Sequence, residues 1–321
     1  MLNKGKCAMR VFARIAAAAL AFVAILVALS MLFYPKDNQE AHGMIDEAAN
    51  GILGERSNSI DVIFIGDSET YSAFSPLQMW GSYGFTSYVC STSGQKLPYG
   101  NTLLRRATID QKPRIVVFET NFIFRAVTLD DVFFRWLQDI IPAFEYHNRW
   151  KALTPGDLYS DIATTWSDDM KGFYLDTSTE AASATSHMAP SDQVTDIPLL
   201  NRLYLETMVD YCRSIGAEPI FVSTPSTVNW NTARHDGIQL FADEIGVAYI
   251  DLNTEPTKVD IDWKTDTRDK GDHLNLSGAL KTSDFIGRYF SEVYKLPDHR
   301  KDDAYSSWNE LFELYQQKIA Q

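Results

Sequence analysis

Asp61-Val-Ile-Phe-Ile-Gly-Asp-Ser-Glu-Thr70 is an apolar strand that runs straight into a Gly-Asp-Ser turn. Working outward, further apolar strands are expected at 87–90, 114–119, 219–223 and 247–251, with helical patterns between them at 99–110, 200–215 and 234–245. Apolar strands that alternate with helices of this length are the signature of a parallel sheet covered on both faces. The expectation is an α/β fold, a flavodoxin-like three-layer α/β/α sandwich with a parallel five-stranded sheet. In such a sheet the carboxyl ends of strands far apart in sequence meet along one edge.

The N-terminus carries Lys4, Lys6, Arg10 and Arg14 ahead of an almost uninterrupted apolar run from Ile15 to Tyr34. At 1.5 Å per residue that run is long enough to cross a hydrocarbon core of ~30 Å. Positive charge before it favours a cytoplasmic N-terminus, with everything after Pro35 translocated, so a single-pass protein with an extracytoplasmic domain is expected. The rival is a cleaved signal peptide, since small residues occur at Ala28 and Ser30; the length of the run and the Met31-Leu-Phe-Tyr34 that follows favour an uncut anchor. Residues 1–34 thus form a basic segment and transmembrane anchor, and 35–60 a stalk with a short helix. A catalytic domain occupies 61–295, and an amphipathic helix 296–321.

The formal charge of −13 argues against nucleic acid as a partner. Cys90 and Cys212 fall on the exported side, where they form either one disulfide or two separate buried thiols. No Cys/His spacing supports a metal, and no cofactor is expected. An excursion at 125–198 breaks the strand-helix rhythm. It is rich in aromatic residues, from Phe133-Phe-Arg-Trp136 to Tyr174, and its place after a strand end suggests a lid or acceptor-binding face, with packing against the sheet edge as the plainer reading. Its first half should be helical and its second half mobile. At the C-terminus, Trp308, Leu311, Phe312 and Tyr315 recur at helical spacing, which predicts an amphipathic helix packed back on the domain; contact with a membrane or a partner is the alternative.

Ser68 sits just past the first strand, where free backbone N–H groups of a following helix would face any oxyanion; on its own it could merely cap that helix. A serine there becomes a nucleophile when a histidine base reaches it. Asp269-Lys-Gly-Asp-His-Leu-Asn-Leu-Ser-Gly-Ala279 supplies the candidate, His273, in a dense polar loop ahead of a closing helix at 277–294. Imidazole can take the serine proton and return it to a leaving alcohol. Asp67 is expected to brace the turn through backbone hydrogen bonds. Gly94 follows the small-residue turn Ser91-Thr-Ser93, and Asn121 ends the strand Ile115-Val-Val-Phe118; each is either a plain turn or cap residue or part of an oxyanion hole.

Taken in order, Gly66-Asp67-Ser68, Ser93-Gly94, Asn121 and His273 resemble the four blocks of the SGNH/GDSL hydrolase superfamily, over about 61–294 apart from the excursion. The resemblance implies Ser68 as nucleophile and an oxyanion hole made by the backbone N–H groups of Ser68 and Gly94 with the amide of Asn121. Two positions depart from the family pattern. Glu69 replaces the usual leucine, and Lys270 stands three residues before the histidine, where the triad aspartate belongs. The carboxylate role passes to Asp269 or Asp272, with Asp269 preferred because adjacent side chains point apart; a Ser68–His273 dyad is the remaining option.

The expected function is therefore serine-dependent ester hydrolysis or O-acyl transfer on a cell-envelope polysaccharide or glycolipid. The layout also resembles membrane-anchored envelope proteins of alginate O-acetylation and teichoic-acid D-alanylation, which implies a multi-pass membrane acyltransferase partner. The alternative is a non-catalytic envelope protein that binds glycan, or partners an acyltransferase, on the same scaffold.

Overall fold

A computed structural model describes residues 2–183 and 185–320. Its five strands, β1 (Val62–Gly66), β2 (Ser87–Ser91), β3 (Ile115–Glu119), β4 (Glu218–Ser223) and β5 (Ala248–Asp251), lie in the order β2-β1-β3-β4-β5. All neighbours are parallel; Ile65 is in register with Cys90 on one side and with Phe118 on the other. The chain reverses its direction of travel across the sheet between β1 and β3, and the crevice at their carboxyl ends is where open α/β sheets bind ligands.

The helices are α1 (Leu2–Phe33), α2 (Glu47–Asn50), α3 (Ser68–Ala73), α4 (Pro76–Tyr83), α5 (Leu97–Ala107), α6 (Leu129–Ile140), α7 (Pro142–Glu145), α8 (Leu199–Ser214), α9 (Thr232–Ile245), α10 (Leu276–Val293) and α11 (Ser306–Ile319). Period-two alternation decides which of them each strand residue meets. Ile63 and Ile65 join the core built with Leu103 and Leu104 of α5, Leu205 and Met208 of α8, and Ile238 and Phe241 of α9. Val62 and Phe64 point the other way, into the core with Met79 of α4 and Ile286 and Phe290 of α10. The result is the expected three-layer sandwich, with β1, β2 and β3 buried along their whole length.

Met9–Phe33 of α1 is 25 residues long and apolar enough to cross a membrane. It stands clear of the domain until its last turn, which packs on α7, where the Ala143 amide donates to Ser30 Oγ at 3.3 Å. Arg149 closes the helix, its Nη1 donating to the carbonyls of Phe33 (3.1 Å) and Tyr34 (2.8 Å) while Nη2 meets Asp157 Oδ1 at 2.6 Å.

Between 35 and 60 the structure departs from a stalk helix. The segment is broken into short turns and folded onto the β2 edge, because Ala49 and Ile52 are apolar and find cover there; Tyr88 Oη also donates to the Ala48 carbonyl at 2.8 Å. Within the excursion α6 and α7 are helical, and 163–183 and 185–197 follow an irregular path pinned by backbone bonds such as Ala182 N to Trp263 O (2.8 Å) and Thr195 N to Ala233 O (2.8 Å). Cys90 and Cys212 are separate, buried, unpaired thiols, each raised by desolvation. At the C-terminus α11 lies against α4, with Trp308 and Tyr315 buried and the Trp80 and Trp308 rings 5.3 Å apart.

Candidate active site

β1 delivers Ser68 to the crevice through Gly66, a residue whose absent side chain is needed: a Cβ there would lie 2.0 Å from Thr70 Oγ1 and 2.8 Å from Glu119 Cβ. The next residue, Asp67, caps α3 by accepting from the Glu69 amide at 3.1 Å. Its other oxygen takes the Asn121 amide at 3.0 Å and Arg125 Nε at 2.5 Å, so Asp67 ties the ends of β1 and β3 together as well as bracing its own turn.

His273 comes from the loop after β5. Its Nε2 lies 2.8 Å from Ser68 Oγ, and its Nδ1 lies 2.6 Å from Asp269 Oδ2. With Nδ1–H donating to the carboxylate, the Nε2 lone pair is left to accept the serine proton; this tautomer follows from the hydrogen-bond network. Asp269 also accepts the His273 backbone N–H, at 2.6 Å through Oδ1, so one carboxylate fixes both ring and backbone. Asp272 Oδ1 is 3.8 Å from Nδ1 and is bonded to Asn229 Nδ2 instead.

The loop's shape explains this choice. Thr267 and Leu274 bridge as an antiparallel pair, and Lys270 and Gly271 both adopt left-handed backbone (φ 64° and 91°), which folds 268–273 back so that Asp269 faces His273. From the loop after β4, Ser226 Oγ donates to the Asp272 carbonyl at 2.9 Å, and the Thr227 amide to the Gly271 carbonyl at 2.8 Å.

Gly94 turns with a left-handed φ of 63° at the exposed end of the β2 loop, where nothing lies within 4 Å of the space a Cβ would take. Two recesses flank its turn. One, of about 390 Å³, is bounded by Tyr71, Phe173, Tyr174 and Ser91–Ser93; Tyr71 is one turn along α3 from Ser68. The other, of about 430 Å³, is lined by Gly94, Lys96, Tyr99, Asp131, Arg135 and Glu145. Asn121 lies beside the crevice with its amide on Asp67, and its Oδ1 accepts from Arg234 Nη1 at 3.0 Å.

Several charged residues here were given no role in the sequence expectation. Glu69 and Glu119 are buried beside Asp67. Burial, with Asp67 close by, pushes the Glu119 carboxyl up to about 8. Burial and the charges of Glu119, Asp67 and Asp272 raise Glu69 well above the carboxylate range. Asn229 Nδ2 bridges Glu69 (2.6 Å) and Asp272. Arg268 donates to Ser72 Oγ at 2.9 Å and lies over the Tyr174 ring. Asn229 belongs to the loop after β4, so the rule that strand ends converge would have pointed to that loop.

Atoms of Glu69, Asp272 and His273 lie within 4.8 Å of one another, one group among the described residues with metal-ligand chemistry. It does not fit a resident metal: the Asn229 amide stands between the two carboxylates, and both His273 nitrogens are engaged by Asp269 and Ser68.

No family model matches this sequence, and no curated protein matches it. Among solved structures, the chain is similar to a lipase/acylhydrolase from Enterococcus faecalis, at 12% identity over 74% of this chain and 98% of that one, with a TM-score of 0.39. A GDSL-like lipase from Bacteroides thetaiotaomicron shows 11% identity over 72% and 87% of the two chains, with a TM-score of 0.36. An acetyl xylan esterase shows 15% identity over 72% and 99%, with a TM-score of 0.38.

Proposed function

We propose that this protein is a serine esterase or O-acyltransferase, held at a membrane by α1 and acting on an acylated envelope polysaccharide or glycolipid. The observation that carries the reading is the Ser68–His273–Asp269 relay, with links of 2.8 and 2.6 Å. In the first half-reaction Ser68 Oγ forms a bond to the ester carbonyl carbon as its proton passes to His273 Nε2. Collapse of the tetrahedral intermediate breaks the ester C–O bond, and the Nε2 proton leaves with the alcohol. In the second half, water or a sugar hydroxyl gives its proton to Nε2 and attacks the acyl-Ser68 carbonyl; Ser68 Oγ recovers that proton as it departs. Asp269 holds the ring in the tautomer both halves need.

The backbone N–H groups of Ser68 and Gly94, with the Asn121 amide, would receive the oxyanion, as the SGNH/GDSL resemblance implies. Of the two recesses at the Gly94 turn, the one walled by Tyr71, Phe173 and Tyr174 suits an acyl group, and the one with Lys96, Asp131 and Glu145 suits sugar hydroxyls. The basic residues Lys4, Lys6, Arg10 and Arg14, ahead of the apolar run within α1, favour an N-terminus kept inside and a domain outside. That placement would bring the site to envelope substrates and to a multi-pass acyl-transfer partner.

The test is turnover of 4-nitrophenyl acetate by the full chain in detergent, with Ser68→Ala beside it. Release of nitrophenol, with an acyl adduct in the intact mass, is expected from the parent protein and not from the variant. Equal release from both would remove Ser68 from the chemistry.

A further inference from the structure

Helix α6 is amphipathic and faces the opposite way from a core helix. Its Thr128–Asp131 capping box is complete, so it is a well-started helix rather than a frayed loop. The stripe Leu129, Phe133, Trp136 and Ile140, at positions i, i+4, i+7 and i+11, points outward; these residues are 72%, 53%, 55% and 58% exposed. Turned inward instead is Arg135, 9% exposed, whose guanidinium meets Glu145 at 3.0 Å and Asp139 at 2.8 Å. Phe134, off the stripe, is also exposed, and a helix in water gains nothing by burying its arginine and exposing three aromatic rings and two aliphatic chains. At ~25 cal/mol per Å² of apolar surface, the arrangement is favourable only if something apolar covers the stripe.

What covers it is set by α1. Residue 140 leads through Ile141 directly into α7, and α7 is the element on which the last turn of α1 is seated. Tyr34 and Tyr146 pack edge to face at 5.5 Å, and Arg149 bonds the terminal carbonyls of α1, so the junction is built from several contacts rather than a loose tether. If α1 spans a bilayer, its last turn lies at the headgroup level. The stripe on α6, about 18 Å long at most, begins beside that turn. Phe144 and Trp150, on the segments that contact α1, are exposed as well. Aromatic side chains with aliphatic neighbours are the composition of a helix lying in the membrane interface.

We infer that α6 is a second membrane contact, lying in the interface of the leaflet from which α1 emerges with Leu129, Phe133, Trp136 and Ile140 buried among lipid chains. The inference rests on the reading of α1 as a membrane span. It deepens the substrate reading too, since the inner side of α6 supplies Asp131 and Arg135 to the recess beside Gly94. That recess then lies at headgroup level, within reach of a glycan still carried on a lipid.

The experiment uses the full chain with Cys7→Ser, reconstituted in phosphatidylcholine–phosphatidylglycerol vesicles. An environment-sensitive fluorophore is placed in turn at Phe133→Cys, Trp136→Cys, Leu20→Cys within α1, and Val293→Cys at the exposed end of α10 on the opposite face of the sheet. Labels at 133 and 136 should lose most of their emission to lipids carrying a nitroxide near the headgroup and resist aqueous iodide. The label at 293 should do the reverse, and the label at 20 should respond to a nitroxide deep in the chains. Labels at 133 and 136 that behave like 293, while 20 is quenched by lipid, would overturn the inference and leave the stripe to a protein partner. A label at 20 untouched by lipid would overturn it through α1. Neither outcome bears on the ester chemistry, which is read separately from nitrophenyl acetate turnover in the same vesicles.

Discussion

Asp272 adjoins His273 in the chain, yet its carboxylate is held by Asn229, whose Nδ2 reaches Asp272 Oδ1 and Glu69 Oε1 together. The imidazole is left to Asp269, four residues back, at 2.6 Å. The two aspartates should therefore behave differently when each loses its charge. Asp269→Asn is expected to lower kcat for an acyl ester by on the order of 10³–10⁴-fold, by disturbing ring tautomer and direction, with little change in KM. Asp272→Asn should cost less than about tenfold. Steady-state kinetics on the two purified variants decide it, and the reverse ranking would move the orienting role to Asp272.

Asn229→Ala removes the amide that separates two carboxylates. Glu69 is buried, and its Oε2 has no partner among the described residues, so loss of its one donor leaves the whole group unsatisfied. The expected cost is about 1–3 kcal/mol in urea unfolding. An unchanged midpoint would show that the bridge contributes nothing to the fold.

Glu119 supplies a pH signature. Its carboxyl is held up at about 8 by burial and by Asp67, whereas a glutamate in the unfolded chain titrates near ~4.3. Between those values the native state keeps a proton that the unfolded chain has released, so this group's contribution is complete below ~4.3 and is lost as pH rises toward 8. Glu119→Gln mimics the protonated form and keeps an acceptor for the Asn121 backbone N–H and the Thr224 hydroxyl. Unfolding free energies measured from pH 5 to 8 should fall less steeply with pH in the variant than in the parent; parallel slopes would contradict the assignment.

The Arg149–Asp157 pair is buried where the domain grips the end of α1. Arg149→Met leaves Asp157 with only the Thr154 backbone N–H and hydroxyl and uncaps the carbonyls of Phe33 and Tyr34, for an expected loss of about 1–3 kcal/mol. Thermal unfolding of the full chain in detergent checks it, together with faster proteolysis near Pro35. A loss under about 1 kcal/mol would mark the pair as exposed to solvent in solution.

How much of this was legible depends on range. β1, its Gly-Asp-Ser turn and the strand-helix alternation are local patterns of apolar spacing, and they define the sheet without help from distant residues. The polar loop around His273 was equally visible. The aspartate beside it was narrowed to two, with Asp269 preferred, but the geometry that brings Asp269 to the ring follows from the left-handed turn at Lys270 and Gly271 and from anchorage by Ser226 and Thr227, a loop more than 40 residues away. Asn229, Arg125 and Arg234 reach the crevice from other strand ends for the same reason. The first half of the excursion was expected to be helical, but that expectation carried no direction for its aromatic face. The aromatic run was expected over the site or against the sheet edge, whereas Phe133 and Trp136 point outward because Arg135 is drawn inward by Glu145 and Asp139.

The central claim is that Ser68 is an activated nucleophile. It is tested most directly by treating the full chain with a fluorophosphonate and locating the adduct by peptide mass spectrometry, with His273→Ala treated in parallel. The account predicts phosphonylation confined to Ser68 and lost in the variant. Folded protein that takes no label, or labels equally without His273, would contradict it.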